Sequence, residues 1–216
     1  MSVSAMRFGF IPVLLLLASA PSARGQEPRL VGRVPDAARL RIDSILDAAR
    51  VRGLPVEPLV DRALEGSAKG APPAAIVAAV TRLRDELIVV RGAFGETASA
   101  AELTAGTSAL RAGATAEALA RLRKQRPGQP LTVAAAVMAD LVAAGVPADT
   151  AVGAVLALAH DADDADYIAF RRNVQRDIVL GASPAAALAV RIRLATEALG
   201  ASDAPQSGGS PPKRKP

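Results

Sequence analysis

GLPVEPLVDRALEGSAKGAPPAAIVAAVTRLRDEL, residues 53–87, reads as two amphipathic helices joined by a turn. In the first, Leu59, Val60, Ala63 and Leu64 recur at helical spacing; in the second, Ile76, Ala79, Val80, Leu83 and Leu87 do the same. Between them Gly70 can take the left-handed backbone that closes a helix, and Pro72 and Pro73 have the fixed φ suited to a first turn. The unit is a helical hairpin. Its second helix is expected to continue through Ile88, Val89 and Val90 and to stop at Gly92.

The same punctuation returns along the chain. Gly70, Gly113, Gly145 and Gly181 are followed by Ala-Pro-Pro, Ala-Thr-Ala, Val-Pro-Ala and Ala-Ser-Pro, a helix terminator and then a helix starter each time. Successive glycines lie 43, 32 and 36 residues apart, a spacing near that of two-helix repeats but irregular. The expectation is an all-α chain: an irregular stack of helical hairpins, in the form of a degenerate α-array or an orthogonal bundle. In general outline it resembles helical repeats such as tetratricopeptide or HEAT arrays. It lacks the Trp, Tyr and Phe signature of the former and is assigned to no family.

Outward from the hairpin, residues 26–35 are polar, broken by Pro28 and Pro35, and read as an irregular lead-in. A helical domain over 36–200 follows, its first helix starting at Asp36, with Ile42, Ile45, Leu46 and Ala49 on one face, and ending at Gly53. GAFGETA (92–98) is expected to be a loop, after which Ser99 and Glu102 have the spacing of a capping box. Leu103, Thr107 and Leu110 mark the next helix, and Thr115 caps a short one carrying Leu119 and Leu122. QRPGQP (125–130) is the firmest internal break and a candidate boundary between sub-blocks. Beyond it come helices marked by Val133, Val137 and Leu141, by Val152, Val155 and Leu156, by Tyr167, Phe170 and Val174, and by Leu188, Ile192, Ala195 and Leu199, the last ending at Gly200. Residues 201–216 have no apolar periodicity and are expected to be a disordered basic tail.

Residues 1–25 have the anatomy of a secretory signal peptide: a basic start ending at Arg7, an apolar run from Phe8 to Ala18, then small residues. Cleavage after Ala23-Arg24-Gly25, releasing Gln26, fits better than cleavage after Ala20, which would leave Pro21 at the new terminus. An exported protein, periplasmic or extracellular, is the expectation.

The 26 Lys and Arg against 21 Asp and Glu suggest a basic protein until they are divided along the chain. Arg7 and Arg24 belong to the leader and Lys213, Arg214 and Lys215 to the tail, so the remainder is neutral. With only Phe94, Tyr167 and Phe170 as aromatic residues beyond the leader, neither a basic face nor a base-stacking platform is present, and nucleic acid is not an expected partner. Absence of cysteine removes lipid acylation, disulfides, thiolate metal sites and thiol nucleophiles together. No Gly-x-Ser-x-Gly elbow and no phosphate loop occurs, and the chain has a single histidine. Nothing selects a carboxylate pair such as Glu65 and Glu86 as acid and base.

Four groups of side chains remain as candidates. His160, Asp161, Asp163, Asp164 and Asp166 place one imidazole beside four carboxylates, a donor set for calcium or zinc. The spacing is not that of an EF-hand, because Ala165, Asp166 and Arg172 stand where the loop needs an acid, a glycine and a glutamate. A structural role covers the same residues: a histidine at a helix C-terminus and aspartates at the next N-terminus. Arg121, Arg123, Lys124 and Arg126 form one basic group, and Arg171, Arg172 and Arg176, with Arg191 and Arg193 on the next helix, form another. Guanidinium forks suit phosphate or an anionic envelope polymer, while the same residues also serve as helix-end charges and covers for apolar stripes. Lys213, Arg214 and Lys215 at the tether's end add weak attraction to anionic lipid.

The leading expectation is therefore an exported, non-enzymatic helical interaction module, with no cofactor, binding a protein or peptide partner in the cell envelope through the groove between stacked hairpins. Peripheral binding to anionic membrane or envelope polymer is the second reading, and a metal binder or metal-dependent enzyme at His160–Asp166 the third.

Overall fold

A computed structural model describes the backbone of residues 26–202 and side chains through residue 200. The expected leader and nearly all of the expected tail, with Lys213, Arg214 and Lys215, lie outside the described residues. Within those residues all regular structure is helical: a 3-10 turn at Pro28–Leu30, then α1 (Asp36–Val51), α2 (Glu57–Ala68), α3 (Pro73–Phe94), α4 (Ala100–Arg111), α5 (Ala116–Gln125), α6 (Thr132–Ala143), α7 (Ala148–Leu158), α8 (Asp164–Val179) and α9 (Pro184–Ser202). The chain is all-α.

Five helices close in one way. Gly53, Gly70, Gly113, Gly145 and Gly181 all have φ between 64° and 108°. In each case the glycine N–H and the N–H after it turn back onto the last helical carbonyls, as when Gly145 N donates to Val142 O at 2.9 Å and Val146 N to Leu141 O at 3.0 Å. An apolar residue follows each Schellman closure, and Leu54, Ala114 and Val146 among them are buried. Pro72 and Pro147, extended at ψ 146° and 137°, then start α3 and α7, and Thr115 caps α5 by accepting from Ala118 N. The connectors also lean on one another: a Cβ at Gly113 would lie 2.8 Å from Ala148 Cβ, and one at Gly145 would lie 3.2 Å from Pro184 Cγ.

The helices form two rows. In one, α1 packs on α3, α3 on α5, α5 on α7 and α7 on α9; in the other, α4 packs on α6 and α6 on α8. Contacts of α3 with α4, α6 with α7 and α8 with α9 join the rows, and α2 lies against α3. Of the turns at Gly70, Gly113, Gly145 and Gly181, three thus join helices that pack as a hairpin. The turn at Gly113 does not: α5 packs chiefly on α3 and α7, while α4 is held between α3 and α6. Its closest approach is at Gly106, where a Cβ would lie 2.5 Å from Val90 Cγ1 and 2.7 Å from Phe94 Cε2. Aliphatic side chains and alanines such as Ala109, Ala134, Ala135 and Ala151 fill a core that is continuous from Leu30 to Leu188. Small side chains let neighbouring helices approach closely.

Two expectations need correction. First, α3 runs through Gly92 and ends at Gly95 (φ 90°), because Val90 and Phe94 are both buried on its inner face. Continuing through Gly92 costs only about 1 kcal/mol of helix propensity, less than exposing Phe94 would. Second, α9 passes Gly200 and extends to Ser202. Across the break at 125–130, α4 and α6 pack together, and Arg126 within it is buried. The lead-in holds only the short 3-10 turn and is seated on the domain, with Leu30 and Val34 buried and Glu27 tied to Asp43, Arg29 and Arg50.

Candidate functional site

The last hairpin leaves a cleft. Its floor and walls come from Leu158 at the end of α7, Phe170 and Asn173 on α8, and Leu194, Ala195 and Leu199 on α9, enclosing about 300 Å³. Phe170 is buried through helical spacing with Tyr167 and Val174, whereas Leu194 is 43% exposed. Val190, one turn before Leu194 on α9, is 45% exposed, and Val179 and Leu180 at the end of α8 are 84% and 78% exposed. Arg191 and Asp166 supply the polar edge. Arg191 is fixed by a two-pronged bond to Asp177, Nε to Oδ2 at 2.6 Å and the terminal nitrogen to Oδ1 at 2.8 Å. That bond holds the Asp177 carboxyl below its ordinary pKa and raises the Arg191 guanidinium. The cleft therefore offers aliphatic walls, an arginine neutralised by Asp177 and, at its edge, the Asp166 carboxylate that takes part in the α8 capping box. It can hold an apolar segment.

The His160–Asp166 segment is taken up by helix-end chemistry. Asp163 caps α8, accepting from Asp166 N at 2.9 Å, while Asp166 accepts from Asp163 N at 3.0 Å. Asp164 faces the guanidinium of Arg126 at 3.4 Å. His160, in the turn after α7, has 87% of its side chain exposed, with Nε2 3.8 Å from Asp161. Among the described residues no group of three or more His, Asp or Glu is disposed to hold a metal ion.

The first basic group splits. Arg121 and Lys124 are exposed beside an open groove shared with Pro127 and His160. Arg123 instead turns inward, donating to Glu102 Oε1 at 2.6 Å and to Gln129 O at 3.0 Å, its guanidinium 6.0 Å from the centre of the Phe94 ring. Arg126 is 1% exposed: it donates to Ala162 O and lies over the Tyr167 ring at 5.2 Å. It is no surface anion receptor. The second group is likewise divided. Arg171 bonds Asp140 of α6 at 3.0 Å and Arg193 lies 3.9 Å from Glu197, while Arg172 and Arg176 stay exposed. Glu65 binds Lys69 and Arg62, and Glu86 binds Arg111.

Glu102 is the polar centre that its capping-box pattern only half revealed. Its Oε2 accepts from Ser99 N at 2.8 Å, and its Oε1 accepts from both Arg123 and Leu131 N, the latter at 3.0 Å. Burial pushes this carboxyl up, but the Ser99 and Leu131 amides and the Arg123 guanidinium outweigh it and hold the pKa below the ordinary value. One side chain thereby ties the start of α4 to α5 and to the start of α6. Tyr167 is the other group sequence reasoning placed only in the core: its hydroxyl donates to Val155 O at 2.9 Å, and burial pushes its pKa up to about 12. It is a packed, neutral phenol at every working pH.

Comparison of the chain with known protein families, with curated proteins and with solved structures finds no match to any of them.

Proposed function

We propose that the chain is an exported, non-enzymatic interaction module that grips an apolar segment of a protein or peptide partner in the α8–α9 cleft. The observation that carries this reading is the pairing of Val190 and Leu194. They are one helical turn apart and nearly half exposed, beside a cleft walled by Leu158, Phe170 and Leu199. Exposed aliphatic groups clustered beside a concavity suit docking of an apolar side chain. The reading includes removal of the 1–25 leader on export and a 201–216 tail that serves as a basic, solubilising extension. Affinity purification of the full exported chain from its native envelope, wild type beside Leu194→Arg, is the test. A partner retained by the first and lost by the second supports the cleft. Equal recovery by both refutes it, as does turnover of a substrate that depends on His160.

A second reading, weak peripheral association with anionic envelope components, draws on Arg121 and Lys124, which stay exposed around a groove while Arg123 and Arg126 turn inward. Salt-sensitive sedimentation with anionic vesicles, lost on deleting residues 212–216 or on Arg121→Glu with Lys124→Glu, supports it. Sedimentation unchanged by either alteration counts against it.

A further inference from the structure

The seat of the N-terminal segment on α1 contains more negative charge than positive. Glu27, Asp36, Asp43, Asp47 and Glu57 are gathered there, and the cations among them are Arg29, which bonds Glu27 and Glu57, Arg39, which bonds Asp36, and Arg50, which bonds Glu27 and Asp47. Asp43, 9% exposed, accepts from Glu27 N through Oδ1 at 3.2 Å, but its Oδ2 is buried without a hydrogen-bond partner. A buried carboxylate oxygen left unpaired is costly and points to a missing donor. The donor nearest at hand along the chain is the nitrogen of Gln26. Arg39 bonds Gln26 Oε1 at 3.3 Å and so holds residue 26 one helical turn along α1 from Asp43. The Gln26 nitrogen is also only three bonds, about 4 Å along the backbone, from the Glu27 nitrogen that already bonds Oδ1.

We infer that Asp43 is the receptor for the α-amino group freed at Gln26 when residues 1–25 are removed, and that the ammonium pairs with the buried Oδ2. The inference rests on the reading of 1–25 as a cleaved leader. Hydrolysis of the Gly25–Gln26 amide by a leader peptidase consumes one water: its hydroxyl completes the Gly25 carboxyl, its hydrogen goes to the Gln26 nitrogen, and the amine takes a further proton from solvent. An amide with one hydrogen becomes an ammonium with three and a full positive charge. The seat then gains the cation it lacks, and removal of the leader tightens the N-terminal segment on α1. The groups facing the pair are Glu27 and Arg29 of the lead-in, Asp36, Arg39, Asp47 and Arg50 of α1, and Glu57 of α2.

The test compares the chain beginning at Gln26 with the same chain carrying two extra residues before it. At pH 6 the first is expected to melt about 4 °C higher. An α-amino group normally titrates near 8, and pairing raises its folded value. The advantage is therefore complete below about pH 8 and is lost as pH rises through the raised value. Asp43→Asn abolishes the difference. A second measurement needs no variant: an amine-reactive acylating reagent at neutral pH labels the folded Gln26 amine about tenfold more slowly than the urea-unfolded one. Equal labelling rates, or equal melting of the two chains, overturn the pairing. The N-terminal sequence of protein recovered after export separates the two ideas. A terminus other than Gln26 overturns the cleavage position and with it the role of Asp43, whereas a Gln26 terminus with an unprotected amine overturns the pairing alone.

Discussion

The junction of α4, α5 and α6 and the outer surface of α8 and α9 use arginine and small aliphatic groups to opposite ends. At the junction, Arg123 and Arg126 are drawn inside, onto Glu102, the Ala162 carbonyl and the rings of Phe94 and Tyr167. On the outer surface, Arg172 and Arg176 stay in water, and Val179, Leu180, Val190 and Leu194 are left uncovered. The difference follows from position in the rows. α6 has α4 on one side and α8 on the other, so charges near it must find partners within the protein. α9 ends its row, and nothing among the described residues lies beyond it. A stack of hairpins has an inside where polar groups are structural and an end where apolar groups are free to meet something else.

Breaking the junction should produce the largest effects. Arg126→Ala removes a buried guanidinium from Ala162 O and Tyr167 and leaves Asp164 without its partner, so a loss of about 4 kcal/mol in unfolding free energy by urea titration is expected. A loss below about 1 kcal/mol would show that the junction is no more demanding than the surface.

Glu102→Gln is expected to cost about 3 kcal/mol near neutral pH. Because the folded carboxyl titrates below its ordinary range, its stabilisation is present above the ordinary value and is lost as pH falls through the folded one. The variant should accordingly show a flatter acid limb in stability measured against pH, and an unchanged limb would remove Glu102 from the account.

At the outer hairpin the effects shrink. Asp163→Ala removes the cap of α8 and should cost about 1 kcal/mol, read as a lower midpoint in thermal unfolding followed by circular dichroism. The cost of an N-cap at the end of the row is thereby set against that of a buried ion pair at its centre.

Much of the architecture was legible from pattern. The hairpin at 53–87, the capping box at Ser99 and Glu102 and the glycines at 70, 113, 145 and 181 each obey a local rule, and local rules are written within a few residues. Gly92 shows where such a rule gives way: as a terminator it competes with the burial of Phe94 two residues later, and burial wins. The candidate site was less legible. Asp163 and Asp166 were readable as helix-start residues, but the same-looking basic run 121–126 gave no hint that two of its members point outward and two inward.

From its sequence alone the chain is determined to be helical, to be punctuated at particular glycines, and to lack cysteine-based chemistry, because propensity, φ and composition are properties of residues and their near neighbours. Tertiary structure alone decided that Gly106 is a contact point, that Glu102 joins three helices, that Arg126 is buried, and that Asp43 has an oxygen to spare. Each of these depends on which side chains from distant segments meet across the rows. Burial and hydrogen bonding between elements 20 to 40 residues apart have no periodic trace in the chain.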